Sequence, residues 1–322
     1  MNALPSARKQ TELHRHIDVS VRLATLLELA QKAGLEGEST SLEAFGEKVY
    51  LREPLTDLPS VLTRFQLFQK VLLTPEILER VGFEASEDCW NEGTKRVEFR
   101  FSPGFVCEFS GLPWRDALLA FDRGLARAKA RYPGLEAGLL LIASRDYGPE
   151  AAEKTMDLAL AHREQVLGVD LAGNEVDYPT RLFTQAFQRA AREGLKITVH
   201  AGESTGPEEI WLAIEDLKAR RIGHGIRAIQ DPSLMKALKE RGICLEVCPT
   251  SNYLTRCVPS LEAHPLPQLL RAGVPVCINT DDPGVFPVTL PSEMELARTR
   301  LGMTPTEIET CLSYAEKFSF FS

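Results

Sequence analysis

Eight short, mostly apolar runs recur along this chain, and each is separated from the next by at least one segment of helical periodicity. The runs are Glu12–His16, Arg96–Phe101, Gly138–Ala143, Leu167–Ala172, Lys196–His200, Arg221–His224, Ile243–Val247 and Pro275–Asn279. Strands buried on both faces read in this way, whereas half-exposed strands alternate. Between them, Trp114–Arg131 carries Ala117, Leu118, Phe121, Leu125 and Ala128 on one helical face. Pro149–His162, Tyr178–Glu193, Glu208–Arg220, Pro232–Arg241 and Leu266–Ala272 are further helix candidates. Gly194, Gly242 and Gly273 each stand where a helix stops just before a strand, the place where glycine is most useful.

Strands and helices alternating eight times predict an α/β fold, a (β/α)8 TIM barrel. A doubly wound sheet would need a glycine-rich phosphate loop after the first strand, and His14-Arg15-His16-Ile17-Asp18 offers none. No internal repeat or low-complexity linker interrupts the chain, so residues 1–322 are expected to form one domain. The first connection is unusually long: about 79 residues separate the first two strands, several times an ordinary βα crossover. Within it, Val21–Ala33 and Leu58–Leu72 read as helices, the second with Leu58, Val61, Leu62, Phe65 and Phe68 on a broad apolar face. An insertion after a barrel strand lies on the active-site face. Residues 17–95 are therefore expected to form a helical lid, with Phe65 and Phe68 as ligand-facing candidates.

Composition narrows the partners. A formal net charge of -8 argues against a nucleic-acid partner and favours a small molecule. Seven scattered cysteines, with no C-x-x-C pair, read as reduced thiols of a cytoplasmic protein. Cys244 and Cys248 lack the second ligand pair of a structural zinc site. Met1–Gln10 has no apolar signal region, and no window approaches the roughly 18 apolar residues of a membrane span. A soluble protein with no membrane association is expected.

Chemistry gathers at the strand ends. The chain has six histidines; His14, His16, His200 and His224 end predicted strands, while His162 and His264 do not. Residues two apart on a strand share a face, so His14 and His16 point into the barrel and Arg15 away from it. The last strand ends in Asp281-Asp282, a pair that in isolation reads as a turn. A barrel brings all its strand ends to one mouth. There, three imidazoles and the Asp281 carboxylate form a nitrogen and oxygen set suited to one zinc ion. Such an ion lowers the pKa of a bound water from 15.7 to about 7. Asp282 is placed to orient that water. His224 can take a proton from it or stabilise charge developing on it. Glu203, beyond His200, can serve as a proton donor if burial keeps it protonated. Asn174, Glu175, Ser251 and Asn252 stand just past strands and are candidate supporting or substrate contacts.

These stretches resemble the adenosine deaminase family of the metal-dependent amidohydrolases. The likeness runs from Thr11 to about Pro287 through Glu-Leu-His14-Arg-His16-Ile-Asp18, Asp170-Leu-Ala-Gly173-Asn-Glu175, His200-Ala-Gly-Glu203, Gly223-His224-Gly225, Cys248-Pro-Thr-Ser-Asn252 and Asn279-Thr-Asp281-Asp282-Pro283. The resemblance implies zinc on His14, His16, His200 and Asp281. It implies Glu203 protonating purine N1, His224 and Asp282 positioning the attacking water, and the Gly173 backbone touching the purine. Two-metal relatives place a lysine at the end of the fourth strand; here Leu167–Gly173 has none, which favours one metal. The other zinc deaminase design, H-x-E with P-C-x-x-C, is absent.

Asp18 matches the nucleoside deaminases, in which this carboxylate contacts the ribose. The expected reaction is therefore the zinc-dependent hydrolysis of adenosine or deoxyadenosine to inosine or deoxyinosine and ammonia. Adenine, or a 5′-modified adenosine such as methylthioadenosine or aminofutalosine, is the alternative. Val19 stands where the family has glycine, which is expected to alter the sugar side of the pocket. Arg15 and Arg22 read first as solvated side chains, with contact to an anionic substituent as the alternative. A catalytically silent nucleoside-binding member would be expected to lack a ligand or the acid, and neither is missing.

Overall fold

The computed structural model describes residues 10–55 and 58–321, without the side chains of 58–63. Eight strands follow in chain order: β1 (Gln10–His16), β2 (Thr94–Phe101), β3 (Glu136–Ser144), β4 (Val166–Ala172), β5 (Thr198–Ala201), β6 (Arg221–His224), β7 (Cys244–Val247) and β8 (Val276–Ile278). All pair in parallel, β1 to β4 in one run and β5 to β8 in another. Two bridges join the runs. Val169 meets Ile197 between β4 and β5, and Arg15 meets Asp281 between β1 and the end of β8. The fold is the expected (β/α)8 barrel.

The helices pack outside the strands. In Trp114–Arg131 the five apolar residues named above are fully buried. Pro232–Arg241 is capped by the Asp231 carboxylate, which accepts from the N–H groups of Ser233 and Leu234. Gly194, Gly242 and Gly273 all have positive φ, as their stop positions require. Two expected helices are shorter. Tyr178–Glu193 begins as a 3-10 turn over Thr180–Phe183 and is α-helical only from Thr184 to Arg192. Glu208–Arg220 stops at Glu215, because Lys218 turns into the left-handed region before β6.

Four helices occupy the long first connection: α1 (Leu23–Lys32), α2 (Leu42–Val49), α3 (Leu58–Val71) and α4 (Pro75–Glu92). The periodicity reading anticipated α1 and α3 and missed the other two. In α4 the reason is steric. Beyond Leu78 and Val81 its buried face is made of the small residues Gly82, Ala85, Ser86 and Cys89, which give a weak apolar stripe. A Cβ on Gly82 would lie 2.9 Å from the Phe121 carbonyl, and one on Gly124 2.3 Å from that of Glu79. Close helix approach replaces large side chains there. Leu58, Val61 and Leu62 of the expected α3 face, like the Met1–Lys9 segment, lie outside the described side chains. The connection is tied to the strand ends: Leu51 N–H donates to Val285 O and Leu55 N–H to Leu254 O. No helix among the described residues is long and apolar enough to cross a membrane.

Candidate active site

β1 delivers His14 and His16 beside the end of β8. His16 N–H donates to Asp281 O and Asp281 N–H to His14 O, each at 2.9 Å. The Nε2 atoms of His14 and His16 lie 3.2 and 3.3 Å from Asp281 Oδ1. With His200 from β5, these residues present four ligand atoms that all lie within 4.8 Å of one another.

The far side of each ring explains the aim. His14 Nδ1 is 2.9 Å from Glu246 Oε2, and His200 Nδ1 is 3.0 Å from Asp170 Oδ2. A carboxylate at Nδ1 holds the proton there and leaves the Nε2 lone pair for a metal. Burial lowers both histidines, His200 to about 3, so both rings are neutral. His14 Nε2 is buried and makes no hydrogen bond. A proton-free, inward-facing nitrogen in this company fits a divalent ion.

Those two carboxylates belong to a charged network inside the barrel. Arg100 reaches Asp170 at 2.7 Å and Glu246 at 2.8 Å; Arg221 reaches Glu246 at 2.6 Å and Glu98 at 2.7 Å. Burial alone would raise Asp170 and Glu246. His200 and Arg100 outweigh it at Asp170, Arg100 and Arg221 at Glu246, and both carboxylates are held well below their ordinary range. The strands are thus not apolar on both faces. Their interior face is ionic where it carries the histidines. Sequence reading gave Glu246 no role, although a lone acid inside the run Leu245-Glu246-Val247 was a visible signal.

His224 and Asp281 are non-glycine residues with positive φ, 57° and 67°. Such backbone costs about 1–3 kcal/mol each and persists where surroundings enforce it. Gly223 packs against two of the imidazoles: a Cβ there would lie 3.0 Å from His14 Cε1 and 3.1 Å from His200 ring atoms. The loop before Asp281 is fastened by Glu12, whose carboxylate accepts from Thr280 N–H and hydroxyl.

Three carboxyls face this cluster. Glu203 Oε2 is 3.6 Å from His224 Nε2, and burial raises its pKa. Asp282 is raised by burial and by neighbouring Asp281. Asp18, raised to about 6 by burial, accepts from Ser102 N–H through Oδ2, while its buried Oδ1 has no hydrogen-bond partner. Glu175 shapes the loop after Glu203 by accepting from the N–H groups of Ser204 and Thr205 and the Thr205 hydroxyl. Gly173 has φ 108°, and a Cβ there would sit 2.2 Å from Asp146 Oδ2.

A second set, His224, Cys248 and Asp281, is equally close. Burial pushes the Cys248 thiol well above its ordinary value, so it keeps its proton and is a poor ligand. The expected phenylalanines pack in the core beside the end of the last strand. Phe68 is fully buried against Gly284, and Phe65 is partly buried on the same core. Arg15 and Arg22 correct the sequence reading. Arg15 is buried on Glu92, and Arg22 pairs with Glu87 and Asp88, so both tie β1 and its following turn to α4.

The family model for adenosine deaminase matches residues 9–322. The chain belongs to the adenosine deaminase family. It is 41% identical to an adenosine deaminase of Serratia proteamaculans over 97% of this chain and 94% of that one. Among solved structures, adenine deaminase from Arthrobacter aurescens is 29% identical with TM-score 0.89, covering 98% of this chain and 95% of that one. An amidohydrolase from Burkholderia ambifaria with bound Zn is 27% identical with TM-score 0.88, covering 98% and 87%. The protein is a deaminase of the hydrolase class.

Proposed function

We propose that this deaminase converts adenosine or deoxyadenosine to inosine or deoxyinosine and ammonia, with one zinc ion on His14, His16, His200 and Asp281. The observation that carries the reading is the close convergence of those four ligand atoms, with protonatable carboxyls of Glu203 and Asp282 facing the same cluster. The nitrogen and oxygen donor set suits zinc, and the similar amidohydrolase with bound Zn supports that choice. When bound, such an ion supplies a Lewis acid and makes a water easier to deprotonate.

The chain's own residues do the rest. Glu203, kept protonated by burial, donates to purine N1 and makes C6 electrophilic. Asp282 orients the attacking water and accepts its proton, and His224 completes the positioning. Oxygen bonds to C6, Asp282 passes the proton it took to the amino group, the C6–amino bond breaks and ammonia leaves, and the remaining hydroxyl proton restores Glu203. The Gly173 backbone contacts the purine, and the four-helix connection covers the site, with Phe65 and Phe68 on its apolar side.

For the sugar, Asp18 supports a nucleoside: its unpartnered Oδ1 can accept from a ribose hydroxyl. Arg15 and Arg22 are already paired, which leaves them unsuited to a phosphate. Val19 follows Asp18 directly. It is buried in the core, and glycine at 284 lets the chain approach its carbonyl, from which a Cβ would be 2.1 Å. The likeness to adenine deaminase makes free adenine the second reading. Seven free cysteines suit a reducing cytoplasm. Ammonia release measured over adenosine, deoxyadenosine, adenine, methylthioadenosine and AMP tests the proposal. Adenosine and deoxyadenosine are expected to lead in kcat/KM; a preference for adenine or for AMP overturns it.

A further inference from the structure

His224 does not stand alone. Its Nδ1 lies 3.1 Å from Asn252 Nδ2, and Asn252 Oδ1 lies 3.3 Å from His264 Nε2. His264 Nδ1 lies 3.1 Å from the backbone nitrogen of Leu266. His224, Asn252, His264 and Leu266 are all buried.

One covalent fact orders this chain of contacts. A backbone N–H can only donate, so Leu266 obliges His264 Nδ1 to accept. Burial lowers His264 to about 3, so the ring is neutral and its single proton sits on Nε2. That N–H donates to Asn252 Oδ1, which turns the amide nitrogen towards His224. Asn252 then donates to His224 Nδ1. With Nδ1 accepting, the His224 ring carries its proton on Nε2, facing Glu203 Oε2 at 3.6 Å and Asp281 Oδ2 at 3.9 Å. Two acceptors beyond hydrogen-bond length on that side suit an N–H directed between them.

We propose that His264, acting through Asn252, is a positioning residue that fixes the His224 proton on Nε2, making His224 a hydrogen-bond donor to the attacking water and leaving Asp282 to accept its proton. The inference rests on the assignment of His224 to the reaction proposed above. It resolves the two roles open to that residue: a ring with its proton on Nε2 has no lone pair there to act as a base. His264 touches none of the reacting groups; the Leu266 amide, 42 residues along the chain from His224, sets the direction of the relay.

Nitrogen-15 NMR of the histidine side chains in the zinc-loaded protein tests this without substrate, so it stays separate from the question of which nucleoside is deaminated. His224 is expected to show a one-bond proton coupling at Nε2 and none at Nδ1. A proton on Nδ1, alone or together with Nε2, overturns the proposal. Kinetics supply the second reading. His264→Ala removes the donor and frees the Asn252 amide to turn. It is expected to lower kcat roughly 10- to 100-fold with little change in KM, the scale seen for residues that orient others, and to give a mixed His224 tautomer. His264→Gln keeps an N–H donor and is expected to recover most of the loss. An unmixed tautomer and full kcat in His264→Ala, or no recovery with glutamine, contradicts the relay. If the variants do not fold, the wild-type spectrum still decides.

Discussion

Glu246 Oε2 stands 2.9 Å from Nδ1 of His14, and the same carboxylate accepts from Arg100 and Arg221. One buried acid therefore orients a candidate metal-ligand nitrogen and ties two guanidinium groups together. Glu246→Gln should cost both properties. Arg100 keeps Asp170 and Arg221 keeps Glu98, but each loses a buried charge-assisted hydrogen bond, which predicts a loss of roughly 3 kcal/mol or more in denaturant unfolding of the metal-free protein. Metal affinity, read by chelator competition, should fall roughly 10- to 100-fold.

Gly223→Ala separates aim from stability. The added Cβ would press on His14 and His200, whose rings are pinned from behind by Glu246 and Asp170 and have little room to give. Metal affinity is expected to fall at least roughly 10-fold, while unfolding of the metal-free protein changes by no more than about 1–3 kcal/mol. Unchanged affinity would show that the rings move aside freely.

Glu203→Gln should keep its metal and lose turnover by roughly 100-fold or more. Burial raises this carboxyl, so the acid proposed here is its protonated form, and its contribution to kcat/KM should fall as pH rises through the raised value. Glutamine cannot titrate, and its residual rate should lack that decline. Wild-type activity in the variant would remove Glu203 as the acid.

The order of the fold was legible because buried strands spell short apolar words and because Gly194, Gly242 and Gly273 mark where helices stop. The candidate ligands were legible for a different reason: histidines are few here, and four of the six end predicted strands. What escaped were residues whose meaning lies in a distant partner. Glu246 reads as an irregularity in an apolar strand until His14, 232 positions away, is placed beside it. His264 ends no strand, and only its contact with Asn252 gives it a role. Arg15 and Arg22 looked free because α4 and its acids were hidden behind a face of small residues.

A pH dependence of stability follows from Glu293. It is buried beneath the Thr250 hydroxyl and N–H, and burial raises it from 4.5 to about 7. The folded state holds this proton more tightly than the unfolded chain. Its contribution is therefore complete below pH 4.5 and is lost as pH rises through about 7. The difference in unfolding free energy between wild type and Glu293→Gln should move against the wild type across that interval, by about 3 kcal/mol at full shift. A flat difference would mean that Glu293 does not titrate there.

Metal titration of the stripped deaminase, followed by adenosine turnover, tests the central claim most directly. Activity should be lost on chelation and return linearly with added zinc, breaking at one equivalent per chain, with no return in His16→Ala. Turnover that survives complete metal removal, or a break at two equivalents, would contradict a single ion held by His14, His16, His200 and Asp281.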